Sequence, residues 1–424
     1  MVLAIDSGTT NTKVFLFDEQ ARQKGVASQA TPGFYPGPAM VEQPASGWWQ
    51  ALVKAAARLP DWPFCFRKHL SGIGISSQGG TFVLLDKNYQ PLRPGITWLD
   101  NRAASLARDL NRQYGQDFFY RKTGHTLAGW APLALLLWLK RHEPEVMRKT
   151  LRVSFVSDYL NFKLTGRFFL DHTSAQMSCL YNINTRQWDP ELLKLVGLNA
   201  EQLPEILSAG AIGGETTSPG GKQLGLQEGV PVVAGGHDQY CASLGAGAEQ
   251  TGDILLSCGT AWALLLTTSR LIFDRTRRWV PGVHVRTEKY GLMGVVSEAG
   301  AVLDWVRHNF RIDRSGLESD SCEKIKVKTN FNQDRGAITG LSLSTTARQV
   351  YLATLQSLVE QVHSLLKIVQ DRVSINRIYL VGGGTREPML PGLIEKITGR
   401  KVVVPRVVEA AGRGAALLIL RNKN

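Results

Sequence analysis

The sequence predicts an α/β fold, and three observations carry the prediction. Short apolar runs end repeatedly in turns rich in Gly, Ser and Thr, as in "MVLAIDSGTTNTKVFLFDEQ" at the start of the chain. Other segments space their apolar residues by three or four positions, as Arg348–Val369 does, and read as helices. The strand–turn–strand plan of the first twenty residues then returns in "GDILLSCGTAWALLLTT" (Gly252–Thr268), about half a chain later, which hints at a duplicated architecture.

In chain order, Val2–Ile5 and Val14–Phe17 are expected as strands around the polar turn Asp6–Lys13. "LSGIGISSQGGTFVLLD" (Leu70–Asp86) reads as strand, Gly-rich turn and strand. In "ITWLDNRA" the residues Trp98, Asp100 and Arg102 alternate, so an extended segment would put them on one face. Ala131–Met147 reads as helix. Its apolar part, Ala131–Leu139, is too short to span a bilayer and is followed by Lys140 and Arg141. In "GVPVVAGGHDQYCASLGAG" (Gly229–Gly247) a buried run, Val230–Val233, leads through glycines to His237 and Asp238 and into a small-residue helix. Ile375–Gly384 is a strand ending in three glycines, and Glu409–Leu420 is a second small-residue helix. The expected division is 1–247 and 248–424, just before the second strand–turn–strand unit.

Composition narrows the function. A chain of 424 residues suits two or three domains; 43% apolar and 20% charged residues are ordinary for a globular protein. The net charge of +13 is dispersed, without a basic run or interleaved aromatics, so nucleic acid is not expected. The charge suits an anionic small ligand or plain solubility. Five Cys at wide spacing, with no C-x-x-C, read as reduced thiols. No leader or membrane span is visible, and a cytoplasmic protein without a membrane partner is expected.

Several residue sets could carry chemistry. Gly8, Thr9, Thr10, Asn11 and Thr12 offer hydroxyls and backbone N–H groups to an anion, with Lys13 adjoining; the alternative is a polar hairpin turn. It is not a P-loop, because G-x-x-x-x-G-K-[ST] is absent and a strand follows. Asp6 is an oxygen ligand suited to hydrated Mg²⁺, or a turn cap. Gly383 and Gly384, after Gly382, would let a planar ring or a phosphate approach the backbone; a tight turn explains them equally. Trp98, Asp100 and Arg102 offer a stacking ring, an acceptor and a donor to a polyhydroxylated ligand, or form an ion pair beside a core Trp. Asp238 stands where a strand gives way to a helix, the corner at which α/β proteins bind ligands. It could accept a proton from an incoming hydroxyl, with Gln239 holding a second hydroxyl, or it could serve as a helix cap.

Taken in order, "IDSGTTNTK", "VEQPASGWW", "GIGISSQGG", "LRPGITWLDNRA", "SDYLNFKLTG", "VVAGGHDQYCASLGAG", "LSCGTAW", "YLVGGGTREP" and "EAAGRGAALL" resemble the FGGY carbohydrate kinases of the actin/Hsp70/hexokinase superfamily. The resemblance covers nearly the whole chain. It implies two ribonuclease H-like (actin-like ATPase) domains with a central cleft, sugar mainly on the N-terminal side and ATP with Mg²⁺ mainly on the C-terminal side. It implies Asp238 as general base, Gly8, Thr9, Thr10 and Lys13 as a first phosphate loop, and Gly259 with Thr260 as a second. Gly384 matches an adenosine-contacting glycine, and Gly300 looks like another on the nucleotide side. Gly79 and Gly80 fall where xylulokinase-like members contact the sugar, with Gln78, Trp98 and Asp100 nearby. Three departures stand out. Gly79-Gly80 replaces the Met-His of xylulokinases; Pro388 and Asp304 stand where glycerol kinases have Asn and Gln; and the part around "CEKIKVKTNFNQDRGAITGLS" is shorter than in typical members. The expected function is ATP-dependent phosphorylation of a small ketose or polyol, with a homodimer as the assembly considered. The alternative is a sugar- or nucleotide-binding sensor that keeps the kinase fold without transfer.

Overall fold

Residues 2–17 form a hairpin whose side chains sort by parity. β1 (Val2–Ser7) and β2 (Asn11–Phe17) pair antiparallel with Ser7 opposite Thr12. Leu3 and Ile5 face one way and pack with Trp48 and Leu52 of the helix Ala45–Ala56. Val2 and Ala4 face the other way and pack with Ala415, Ala416 and Ile419 of the helix Ala410–Arg421. A strand covered on both faces is apolar at every position, which is why Val2–Ile5 shows no alternation in the sequence.

The structure, a computed structural model, describes residues 1–59, 70–312, 324–329, 336–407 and 409–421. They divide into two units: Met1–Gly245 with Pro281–Tyr290 and Glu409–Asn424, and Ala246–Val280 with Gly291–Val408. In the first unit, β3 (Gln23–Ala30) lies antiparallel to β2, and β4 (Ile73–Ser77) lies parallel to β1. β5 (Ile212–Glu215) lies antiparallel to β6 (Pro231–His237), which is itself parallel to β4. The strand order is β5-β6-β4-β1-β2-β3.

The second unit repeats this wiring. β7 (Ile254–Cys258) and β8 (Trp262–Thr268) form an antiparallel hairpin, β9 is Tyr290–Val296, and β10 (Arg377–Val381) and β11 (Lys401–Val403) add in parallel. The order is β9-β8-β7-β10-β11. Third, second, first, fourth is therefore the order in both sheets. Ile254, Leu256, Leu264 and Leu380 pack on Leu355, Leu358 and Val362 of the helix Ala347–Val369, the amphipathic helix of the sequence.

Four details depart from or refine the sequence reading. The two strands within Leu70–Asp86 belong to different sheets; Phe82–Leu85 joins a small one with Glu42–Gln43, Gly95–Ile96 and Arg152–Phe155. Ala131–Met147 is two helices, Pro132–His142 and Pro144–Lys149, because Pro144 has no N–H to continue the first. Trp98 and Leu99 form a tight turn in place of an extended segment, with Asp100 N–H donating to the Thr97 carbonyl, so Trp98 and Asp100 do not share a face. The helix Ala410–Arg421, placed in the second half by a division at Gly247, packs on β1 and β4 of the first sheet. Cys65 and Cys322 lie outside the described residues, and the shortened part around Cys322–Ser342 is described only at 324–329 and 336–342. Cys179, Cys241 and Cys258 are free and buried, and burial pushes all three thiols up.

The two small-residue helices pack on each other through missing side chains. A Cβ on Gly245 would lie 1.8 Å from the Ala410 carbonyl oxygen, and one on Gly414 would lie 1.9 Å from that of Cys241. The Arg413 guanidinium donates to the Gly245 carbonyl at 2.6 Å. Gly414→Ala is therefore expected to destabilise the fold by about 1–3 kcal/mol, the range for overpacking. Gly392→Ala, in the helix Leu390–Thr398 with nothing within 4 Å of the new methyl group, should stabilise it by about 0.5–1 kcal/mol. Urea unfolding of both variants checks the contrast.

Candidate active site

Three parallel strands, β1, β4 and β6, end together at one edge of the first sheet, the carboxyl edge at which open α/β sheets bind ligands. The register lines their last residues up. Asp6 and Gly236 both stand opposite Ser76, and Ser7 and His237 both stand opposite Ser77. Asp238 follows as the first residue of the helix Asp238–Ala246. β6 reaches this position because it has no side chains where it crosses β4. A Cβ on Gly235 would lie 1.8 Å from the Ile75 carbonyl oxygen, and the pairing shifts register between Val233 and Gly236.

The two carboxyl groups feel each other. Burial, and then the charge of Asp238, push the Asp6 carboxyl up to about 7, and Glu409 adds to the rise. The Ser76 hydroxyl, donating to Asp6 Oδ1 at 3.0 Å, and the charge of Lys13 act in the opposite direction. Lys13 is not a bare cation beside the turn, as the sequence suggested. Its ammonium holds both carboxylate oxygens of Glu409, at 2.7 and 2.9 Å. The Asp238 side chain is 30% exposed, and its Oδ1 lies 3.4 Å from Nε2 of the buried His237. The His237 ring fills the room that a side chain at Gly79 would need: a Cβ there would lie 2.5 Å from its Cδ2. Asp6 and Asp238 are oxygen-only ligands of the kind that hold a hydrated divalent cation. Among the described residues, no three His, Cys, Asp or Glu side chains form a closed metal cage.

The first Gly-Thr turn, Gly8–Asn11, closes β1 and β2, with Gly8 N–H donating to the Asn11 carbonyl. Thr9 Oγ1 accepts from the Trp98 indole N–H at 2.8 Å. An indole only donates, so the Thr9 hydroxyl keeps its own proton for another acceptor. Thr10 and Asn11 are exposed and bonded to each other at 3.0 Å. Trp98 is 42% exposed, and Gly80 (φ +74°) lies against it and against the ring of Trp130.

Other sequence candidates turn out to be tied down. Gln78 is buried and bonded to Thr81, Gln43 and the Gly8 carbonyl. Asp100 is fully buried, and its oxygens accept from the Val41 and Arg102 backbones and the Arg102 guanidinium. The ion pair is therefore the buried element and the Trp the exposed one, because the turn at Trp98 reverses the expected facing. Gln239 is half-buried, and its Oε1 has no protein partner. His125, which the sequence reading missed, is buried with Nε2 unpartnered and its ring edge-on to Trp130 at 5.4 Å. Burial, and then the charge of His237, push it down to about 4 and leave it a neutral imidazole.

In the second unit, Gly259, Thr260, Gly300, Gly383 and Gly384 all line one cavity of about 280 Å³. The second Gly-Thr turn closes β7 and β8, with Gly259 N–H donating to the Ala261 carbonyl. Gly300 is there for packing: a Cβ would lie 2.1 Å from the Gly259 carbonyl oxygen, and the Gly300 N–H donates to the Thr260 carbonyl. Gly384 likewise leaves room for Cys258, whose Cβ would be 2.4 Å from an added methyl group.

Two sheets of the same wiring, each closed by a Gly-Thr hairpin, define an actin-like ATPase fold. The family models for the N-terminal and C-terminal domains of the FGGY family of carbohydrate kinases match residues 1–245 and 329–422. The chain belongs to the FGGY family of carbohydrate kinases and is an enzyme of that class. It is 27% identical over 445 residues to the glycerol kinase of Thermococcus onnurineus, covering 98% of this chain and 88% of that one. It is also 27% identical to a probable L-xylulose kinase of Pasteurella multocida, covering 100% and 90%. A crystal structure of a xyloylose kinase from Brucella ovis shares the fold with a TM-score of 0.91 at 23% identity, over 99% of this chain and 90% of that one. Among the described residues, no helix is long and apolar enough to cross a membrane.

The Asp6 environment predicts a pH effect. A carboxyl group pushed up to about 7 in the fold, well above the ordinary carboxylate range, favours the fold most at low pH and loses that contribution as pH rises through about 7. Without divalent metal, Asp6→Asn should gain stability over the wild type between pH 5 and 8, by up to about 2–3 kcal/mol. Urea midpoints in chelator at the two pH values test this, and an unchanged gap would contradict it.

Proposed function

We propose that the chain transfers the γ-phosphoryl group of ATP to a hydroxyl of a small ketose or polyol, with Asp238 as the general base. The observation that supports it most is the alignment of Asp6, Ser76 and Asp238 at the carboxyl edge of three parallel strands. Asp238 takes the proton of the substrate hydroxyl, the freed oxygen attacks the γ-phosphorus, and ADP leaves. Asp6 would hold a hydrated Mg²⁺, directly or through water, which would supply charge neutralisation at the phosphates. The Thr9 hydroxyl, with its proton unspent, and the Thr9 and Thr10 N–H groups would offer donors to phosphate oxygens.

The sugar is assigned to residues 1–247 and the nucleotide to residues 248–424. Gly79, Gly80, Trp98 and Gln239 would contact the sugar, with Gln78 and Asp100 shaping the site from behind. Gly259, Thr260, Gly300, Gly383 and Gly384 would line the nucleotide site. Three buried, unpaired thiols suit a reducing compartment, and the cytoplasm is the proposed location.

Purified protein, assayed by coupled ADP release over pentuloses, hexuloses and polyols, should turn over at least one of them. Binding without turnover across the panel would instead indicate a sensor. Asp238→Asn should lower kcat at least about 100-fold while ADP still binds. Near-normal turnover in that variant would remove the assigned role.

A further inference from the structure

Glu387 lines the second unit's cavity, together with Leu303, Leu355, Gly384 and Tyr351. It follows the short Gly383–Arg386 turn, where its N–H donates to the Gly384 carbonyl at 3.0 Å. The residue is only 6% exposed. The hydroxyl of Tyr351, on the helix Ala347–Val369, donates to Oε2 at 2.7 Å. Oε1 has no hydrogen-bond partner in the protein. A carboxylate can only accept, and a buried acceptor without a donor is unfavourable. The bound ligand is therefore expected to bring the donor.

We propose that Glu387 selects the base of the nucleotide, with Oε1 accepting from the exocyclic amine of a 6-aminopurine. The proposal rests on reading this cavity as the nucleotide site. The chemistry separates the purines. Adenine presents a 6-amino donor. Hypoxanthine presents a 6-oxo acceptor, which a carboxylate repels. Guanine carries the same 6-oxo group and would offer N1–H and its 2-amino group side by side. Those two donors suit a carboxylate with both oxygens open, whereas Oε2 is already held by Tyr351. Specificity of this kind comes as much from the unpaired acceptor left behind by the wrong base as from the bond made to the right one.

The test is calorimetric binding of ADP, IDP and GDP, each with Mg²⁺, to the full chain, so that no turnover is needed. ADP should bind at least about tenfold more tightly than IDP, the scale of a hydrogen bond to a charged group. Glu387→Met should bring the ADP:IDP ratio near one, chiefly by weakening ADP, with a thermal melt checking that the variant is folded. Tyr351→Phe frees Oε2 and should narrow the gap between ADP and GDP. Equal wild-type affinity for ADP and IDP, or an unchanged ratio in a folded Glu387→Met, overturns the proposal and leaves the kinase reading standing. Failure of all three nucleotides to bind overturns both.

Discussion

Two carboxyl groups share the end of one sheet, and much of the first unit is arranged around that fact. Asp6 lies on β1 and Asp238 directly follows β6, the two strands that flank β4, so the backbone register places them before any side chain adjusts. Like charges in a desolvated place oppose folding. The surroundings compensate only in part. Ser76 donates to one carboxyl, a helix begins at the other, and Lys13 stands close by but is itself held by Glu409. What remains is an attraction for positive charge at the end of the sheet. That tension weakens the fold most where Asp6 must ionise.

Geometry here is set by absent atoms as much as by present ones. Gly235 lets β6 cross Ile75, Gly245 and Gly414 let two helices touch at their backbones, and Gly300 lets a helix start against the second Gly-Thr turn. Each contact fixes an element that carries a candidate site residue or packs on one that does. Gly79 works differently: it leaves space that His237 takes, so the imidazole beside Asp238 is held by what position 79 lacks.

Much of this was legible from local patterns. The first hairpin, the corner at Asp238, the second Gly-Thr turn and the long amphipathic helix depend on neighbouring residues, and the chain reports neighbours directly. The rest depends on register and on distant packing. Ser76 matters only because it falls opposite Asp6. Lys13 adjoins the turn in the sequence, but its partner, Glu409, is 396 positions away and leaves no local sign. Trp98 and Asp100 looked co-facial because alternation assumes a strand, and a turn at Thr97–Asp100 breaks the assumption. His125 carries no local signal, and Glu387 lies in a quoted stretch without standing out from it; one buried, unpartnered atom on each picks them out.

The helix Ala410–Arg421 covers β1 and β4, the strands at the middle of the first sheet, and follows Ala246–Val280 and Gly291–Val408, which build the other unit. During synthesis, the earliest strands must therefore remain uncovered on one face until the ribosome has passed position 421. The second unit has all its residues earlier and is free to form first. A growing chain thus carries one uncovered apolar face of that sheet for most of its translation.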